Sequence, residues 1–246
     1  MTLGLLNEDK MKSLMRRVGH YVELAEDDFH DLSTLPHKME TRRPGEEIVT
    51  LGEAIDFVFV VESGWAIRHR ILEDGRRQII NFMLPGACFD MMSMAYAKAD
   101  HTVSAATDVT LRRMKSSDFL RAVSVQPRLA TAFWWVAIQE EAILREQIVR
   151  IGRRSAKERV AHLLLELNRR IAAAEGQFTD FIDLPFPQSL FADALGLSVV
   201  HVSRTLTALK ANGMIAAGPG GIKIIKRDEM AEMCDFDGRY LQMERL

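Results

Sequence analysis

The chain has 246 residues, with 32 Lys and Arg against 34 Asp and Glu, a formal net charge of −2. That length predicts one large domain or two modest ones, and the balance of charge is not that of a uniformly basic nucleic-acid binder. Hydrophobic residues make up 48%, which excludes wholesale disorder, and with only Cys88 and Cys234 there is no disulfide framework and no all-cysteine zinc or iron–sulfur site within one chain.

No apolar run reaches the ~18 residues of a membrane span, and charges interleaved through Met1 to His20 break any signal-peptide core. A cytoplasmic protein without a membrane contact is expected. A short helix is predicted around Glu26 to Leu35. Between residues 41 and 119, turn residues recur: Pro44-Gly45, Gly52, Ser63-Gly64, Asp74-Gly75 and Pro85-Gly86. Short β-rich runs lie between them, the pattern of a small antiparallel β-roll or jelly roll. Asp74-Gly75 predicts a hairpin with a type I′ turn, and Pro85-Gly86 a type II turn.

After Pro127 the period changes to that of a helix, with no glycine or proline up to Ile151. Two neighbouring stripes run along it. One is Leu129, Phe133, Val136, Glu140, Ile143; the other is Ala130, Trp134, Ala137, Glu141, Leu144, Ile148, Ile151. Each has the alternating 3/4 spacing of a coiled-coil seam. One face is expected to pack on the β-roll and the other on a second copy of the helix. The candidate dimer residues are Leu129, Phe133, Val136, Trp134, Ala137, Leu144 and Ile148.

Gly152 to Ser155 breaks this helix, and Ser155 with Glu158 forms a capping box for the next, Ala156 to Ala174, which stops at Gly176. The pattern divides the chain into 1–126 (β-roll), 127–152 (long helix) and 153–246, which the resemblance given below implies are a sensor domain, a dimerisation helix and a DNA-binding domain. In the last segment, Gln188 to Thr207 reads as a helix-turn-helix. Ala192 is small where two helices cross, Gly196 suits a left-handed turn, and Ser198 can cap the second helix. Leu195, Val202 and Leu206 hold the pair together. Asn212 to Lys226 then reads as a helix stop and two strands with lysines near the tip and exit, a β-wing. The second helix of such a pair enters the DNA major groove.

The ordered set resembles the Crp/Fnr family of bacterial transcription regulators, from about residue 25 to 235. The Pro-Gly and Asp-Gly turns match its β-roll, the long helix its dimer helix, and Leu184 to Leu209 its DNA-binding signature. The resemblance implies an α+β chain: an N-terminal antiparallel β-roll of the cyclic-nucleotide-binding jelly-roll type, a long dimerisation helix and a C-terminal winged helix-turn-helix. It implies a homodimer on double-stranded DNA, at a pseudo-palindrome with half-sites ~34 Å apart, and a contact with RNA polymerase. Val199, Val200, His201, Ser203 and Arg204 are the candidate base contacts. Arg204 suits bidentate donation to guanine, whereas Val200, where many members carry Glu, suits a thymine methyl. Ser198, Lys210, Lys223 and Lys226 are candidate phosphate contacts, with Arg153, Arg154, Lys157 and Arg227 on the same basic side. The charge itself is unevenly placed: residues 150–230 carry 12 Lys and Arg against 8 Asp and Glu, while residues 1–149 carry 18 against 22.

In cyclic-AMP-binding relatives a Gly-Glu pair and an Arg-Ser pair hold the ribose and phosphate. Here those positions read Asp90-Met91 and His101-Thr102, with Leu144 and Arg145 at the helix positions nearest the base. These six are the candidate effector pocket. Without the Arg clamp an anionic ligand loses its strongest anchor, so cyclic AMP is not expected. An Fnr-type iron–sulfur cluster needs four cysteines and is excluded. A haem would have to draw on His69, His101, Cys88 or the Met91–Met94 run, where core filling is the simpler reading; no cofactor and no metal are expected. Cys88 reads as an inert buried thiol. No HExxH, P-loop, GxSxG or Rossmann fingerprint is present, so an enzyme is not expected. The alternatives left open are a cyclic-nucleotide- or haem-responsive regulator, and a sensor whose C-terminal half mainly binds protein.

Overall fold

The computed structural model describes residues 11–19, 21–91 and 98–241. Two helices, α1 (Lys12–Gly19) and α2 (Glu26–Ser33), precede eight strands. These are β1 (His37–Arg42), β2 (Glu47–Val49), β3 (Phe57–Ser63), β4 (Ala66–Ile71), β5 (Arg77–Met83), β6 (Cys88–Phe89), β7 (Thr102–Ala105) and β8 (Val109–Lys115). They form two four-stranded antiparallel sheets, ordered β1-β8-β3-β6 and β2-β7-β4-β5. The run Phe57 to Val61 is almost wholly apolar because β3 is covered on both faces. Phe59 and Val61 enter the roll interior with Leu111 and Val103, while Val58 and Val60 face the helices with Leu14, Phe119 and Phe133.

Two turns test the sequence reading. At Pro85-Gly86 the Ala87 N–H donates to the Leu84 carbonyl at 2.8 Å and Gly86 has φ +85°, as a type II turn requires. A Cβ on Gly86 would sit 2.5 Å from the Ser13 carbonyl oxygen, so glycine here also lets the N-terminal helix approach the roll. At Asp74-Gly75 the predicted type I′ turn is corrected. Only Gly75 has positive φ there, and the Asp74 carboxylate instead accepts from the Arg76 N–H at 3.0 Å. A type I′ turn needs two left-handed residues.

Several elements were not anticipated, among them α1, β6 and two at the edges of the roll. Helix α3 (Ser116–Val125) follows β8 directly, and β1 starts four residues before the expected edge of the roll. Helix α4 runs Pro127–Arg153 and α5 Ala156–Glu175. The capping box is as read, with Ser155 Oγ accepting from Glu158 N–H and Glu158 Oε2 from Ser155 N–H at 2.6 Å. Then come β9 (Phe181–Asp183), α6 (Gln188–Leu195), α7 (Val199–Ala211), β10 (Ile215–Gly218), β11 (Gly221–Ile224), α8 (Arg227–Cys234) and a 3-10 turn at Gly238–Leu241. The wing is three-stranded, β10-β11-β9, rather than a bare hairpin.

The segment after residue 153 shares a core with the β-roll. Trp65, Ile67, Ile79 and Phe82, on the outer face of β4 and β5, join Leu163, Phe191 and Ala194 in one apolar cluster. Phe186 stacks on Phe82 with ring centroids 5.4 Å apart and meets Trp65 edge-on at 5.1 Å. Arg77 pairs with Asp193 at 2.7 Å on the rim of this contact, and Gln78 donates to the Ala194 carbonyl at 3.2 Å.

The two stripes of α4 have separate fates. Leu129, Phe133 and Val136 are buried within the chain, which corrects their assignment to a dimer contact: the roll already covers them. The other stripe faces solvent, with Trp134 70% and Ile148 67% exposed. Ala137 is exposed beside them and Leu144 is half-buried.

Candidate nucleic-acid interface and sensor pocket

Helices α6 and α7 cross at Ala192, which is buried. Gly196 makes the turn in the left-handed region, at φ 63° and ψ 37°, which an L side chain rarely adopts. Ser198 caps α7, its Oγ accepting from the His201 N–H at 3.2 Å. That leaves the hydroxyl proton for an outside acceptor. Val202, Thr205, Leu206 and Leu209 are buried and fix the roll of α7 about its axis. Val199, Val200, His201, Ser203 and Arg204 consequently stand on one exposed face, with Val200 59% exposed. A row of valines on a solvent face costs apolar exposure and contributes nothing to the core.

The basic candidates divide. Lys210, at the end of α7, and Lys223, on β11, are exposed, as is Arg153. Lys226 is exposed but paired with Glu229 at 2.9 Å, so a phosphate must compete with that carboxylate. Arg154 donates to Glu146 at 2.5 Å and to the Cys234 carbonyl at 2.9 Å. Arg227 binds Asn168 and Asp180 and lies over the Phe178 ring at 4.6 Å. A phosphate must compete with these partners for both guanidinium groups, as it must at Lys226.

The sensor residues do not form one pocket. Asp90 has φ 60° and a buried side chain, with Oδ1 3.0 Å from His101 Nε2 and Oδ2 without a partner. His101 Nδ1 lies 2.6 Å from Asp100, a contact that holds the Asp100 carboxyl below its usual range. Thr102 is buried beside it on β7, and its hydroxyl accepts from the Leu51 N–H. Met91 packs toward the core of Val58, Val60 and Cys88. Leu144 and Arg145, in contrast, lie on the outward stripe of α4, with Arg145 paired to Glu141 one turn away at 2.5 Å. Within one chain, helix phase turns these two away from the roll and from Asp90 and His101.

The haem candidates are engaged otherwise or lie outside the description. His69 binds Ser104 at 2.9 Å, and Met92, Ser93 and Met94 lie outside the described residues. Burial pushes the Cys88 thiol up to about 12 and does the same for Cys234, so both are thiols at neutral pH and poor nucleophiles. Among the described residues there is no group of three or more metal-ligating side chains, and no helix is long and apolar enough to cross a membrane.

Residues 158–233 match the Crp-like helix-turn-helix domain and residues 39–125 the cyclic nucleotide-binding domain. The chain is 33% identical over 183 residues to the transcriptional activatory protein AadR of Rhodopseudomonas palustris, covering 74% of this chain and 75% of AadR. It is 34% identical to the nitrogen fixation regulation protein FixK of Bradyrhizobium diazoefficiens, over 74% of this chain and 75% of FixK. The chain belongs to the Crp/Fnr family. The transcriptional activator protein FnrL of Cereibacter sphaeroides is 31% identical, over 81% of this chain and 82% of its own. The solved structure of FixK2 from Bradyrhizobium japonicum superposes with a TM-score of 0.72 at 29% identity, covering 81% of this chain and 98% of that one. This Crp/Fnr protein is a regulator of transcription with a helix-turn-helix DNA-binding domain.

What the sequence reading missed in this Crp/Fnr protein is a buried polar network where β5, α1, α4 and α5 meet. Glu166 is its centre. Arg150 donates to Glu166 Oε2, Tyr240 donates to the same oxygen at 2.7 Å, and Arg170 lies 3.2 Å from Oε1. Arg170 also donates to Asn81 and to the Phe82 carbonyl. Asn81 in turn donates to Glu140 at 2.7 Å, and Arg17 donates to Glu140 and Gln139. Gln147 reaches the Ala194 carbonyl on α6 at 2.6 Å. Burial raises the pKa of Glu166, but Arg150 and Arg170 outweigh it and hold the carboxyl below its usual range.

His162 sits at the edge of this network. Its Nδ1 accepts from Arg150 Nε at 3.2 Å and its Nε2 lies 3.1 Å from Glu146. Burial, with the Arg150 and Arg154 charges behind it, depresses the His162 pKa below 6.5. The His162 contact and Arg154 hold Glu146 down at about 2. Both groups bind fewer protons folded than unfolded on the acid side, so stability falls as pH falls. The His162 contribution is fully present above about pH 6.5 and declines below it. The Glu146 contribution declines between about 4.5 and 2. Thermal midpoints measured from pH 8 to 5 are expected to drop through the first window, and less steeply in His162→Gln. Equal slopes in the two proteins would reject the assignment.

Proposed function

We propose that the protein works as a homodimer on a pseudo-palindromic DNA site. Two copies join along the outward stripe of α4, and each inserts α7 into a major groove. The observation that carries this reading is the exposed face of α7, where Val199, Val200, His201, Ser203 and Arg204 stand clear of the core that fixes the opposite face. Arg204 reads a guanine through O6 and N7, and Val200 meets a thymine methyl. Lys210 and Lys223 anchor phosphates, and they set position rather than sequence. RNA polymerase is the further partner of such a regulator.

The sensor half does not take a cyclic nucleotide. A buried Asp90 carboxylate, with His101 held between two aspartates, supports this, because a cyclic phosphate would meet a negative group where it needs a bidentate cation.

Selection from random duplexes by the purified protein is the test. Two inverted half-sites about one helical turn apart are expected. Arg204→Gln should cost about 1–3 kcal/mol per half-site and relax the preference at one base pair in each. A selected site without dyad symmetry, or an unchanged preference in Arg204→Gln, would overturn the reading.

A further inference from the structure

Helix α6 ends at Leu195, beside the Gly196 turn. The last carbonyls of a helix have no partner in the helix itself. Here they are taken by side chains from three other elements. The Ala194 carbonyl accepts from Gln147 Nε2 on α4 at 2.6 Å and from Gln78 Nε2 on β5 at 3.2 Å. The Leu195 carbonyl accepts from Arg159 Nη1 on α5 at 3.0 Å. The roll, the long helix and the first helix of the DNA-binding half thus meet at the end of α6.

The donors are themselves held. Arg159 Nε donates to the Arg154 carbonyl at 2.7 Å, where α4 stops and α5 starts. One guanidinium therefore spans the α4–α5 bend and the end of α6. Gln147 Oε1 accepts from Arg150 Nη1. That bond fixes which end of the amide faces Arg150, and it leaves the NH₂ end for Ala194.

Where the end of α6 is held, the recognition helix follows. Helix α7 begins at Val199, four residues after Leu195, and Val202 and Leu206 bury themselves in the core that α6 shares. Stacking of Phe186 on Phe82 and Trp65 keeps this half on the roll, but apolar burial has no direction. Hydrogen bonds do, because they weaken steeply when misaligned. The three bonds that converge on Ala194 and Leu195 select one docking angle.

We infer that Gln147, Gln78 and Arg159 are positioning residues for DNA binding: they set the angle at which the roll and the long helix present α7. None of the three touches DNA in this arrangement. In a dimer the angle fixes the separation and tilt of the two recognition helices. Its loss is felt by a duplex with two half-sites and not by one with a single half-site, so the inference rests on the homodimer reading.

Site selection and fluorescence anisotropy on the full chain at fixed salt are the test. Arg159→Met is expected to select the parental half-site and to hold a single half-site as tightly as the parent. On the double site, a correct angle kept about 10–30% of the time in each chain lowers apparent affinity about 10–100-fold. The selected spacing should also spread to neighbouring values. Arg159→Lys, which keeps the charge but not the fork that reaches two carbonyls, should fall between the two. Gln78→Met leaves Gln147 on the same carbonyl and should lose about 3–10-fold. Gln78 is half-buried at the edge of the roll, so this variant carries the test if Arg159→Met fails to fold. A role in stability alone would lower the urea midpoint and weaken single and double sites by one factor, with the spacing unchanged. Val61→Ala, a cavity inside the roll, supplies that pattern for comparison. The same pattern in the Arg159 and Gln78 variants, or parental double-site affinity and spacing in both, overturns the inference and leaves the dimer standing. A parent that selects a single half-site removes the dimer reading and the positioning role together.

Discussion

Ile148→Glu is expected to convert the proposed dimer to a monomer and to lower affinity for a two-half-site duplex by about 10²–10⁴. The argument starts from the seam. Trp134, Ala137, Glu141, Leu144 and Ile148 recur at coiled-coil spacing on the side of α4 that the described residues leave largely uncovered. In a two-fold pair each meets its own copy or a near neighbour. A glutamate at 148 would place two like charges across a dry seam, where each must shed water without gaining a partner. Fold should be spared, because Ile148 is 67% exposed and exposed substitutions usually stay within about 0.5 kcal/mol. Sedimentation gives the mass and fluorescence anisotropy at fixed salt gives the affinity. A variant that still sediments as a dimer, or that holds the duplex as tightly as the parent, would remove α4 from the interface. Val136→Glu is the contrast: its side chain is fully buried, so it should unfold the chain rather than dissociate it.

Glu166→Ala is expected to cost about 3–5 kcal/mol of folding stability, a large share of the ~5–15 kcal/mol that a domain has. The Glu166 and Arg150 side chains are each only 2% exposed. Removing the carboxylate leaves Arg150 buried without its counter-ion and takes an acceptor from Arg170 and Tyr240. The charge left behind, rather than the lost bond, sets the size of the effect. Arg150→Met combined with Glu166→Gln should therefore be less damaging than the sum of the two single changes, by about 0.5–3 kcal/mol. Urea titration of Glu166→Ala and of the four proteins of the Arg150→Met and Glu166→Gln cycle measures this. A Glu166→Ala protein as stable as the parent, or strict additivity in the cycle, would mean that the network does not act as a unit.

Much of the local structure was legible because its signals are local. Gly196 and Ser198 mark the turn between α6 and α7, Ser155 and Glu158 the start of α5, and Pro85-Gly86 its turn. Each works through backbone geometry within four residues. The errors came where the deciding partner is far away. Strand β9 has three residues, and only its pairing with β11, some forty residues on, makes it a strand. The Asp74 turn was decided by one side-chain bond to Arg76. On α4 the inward stripe continues through Glu140, Gln147 and Arg150, three polar residues at seam positions. That interruption was visible, but its meaning depended on Arg17, Asn81, Ala194 and Glu166, none of them neighbours in sequence. Leu129, Phe133 and Val136 were misassigned for a related reason: periodicity shows that a helix has two apolar faces, and only the packed fold shows which one the chain keeps for itself.

The two ends of the described chain both close onto the paired helices α4 and α5, whose packing is the junction of the two halves, and Gln139 bonds to Arg17 from one end and to Leu241 from the other. Arg16 waits for carbonyls 158 and 159 residues further on, and Leu241 and Tyr240 close onto Gln139 and Glu166, 102 and 74 residues earlier. At a synthesis rate of about 5–20 residues per second, the first helix emerges about 8–30 s before the end of α5 exists. During that interval Leu14 and Val18, both fully buried in the finished protein, lack the α4 cover that later encloses them. The junction is thus a late event in the life of each molecule. The contacts that link its two halves cannot be complete until residues 240 and 241 have left the ribosome.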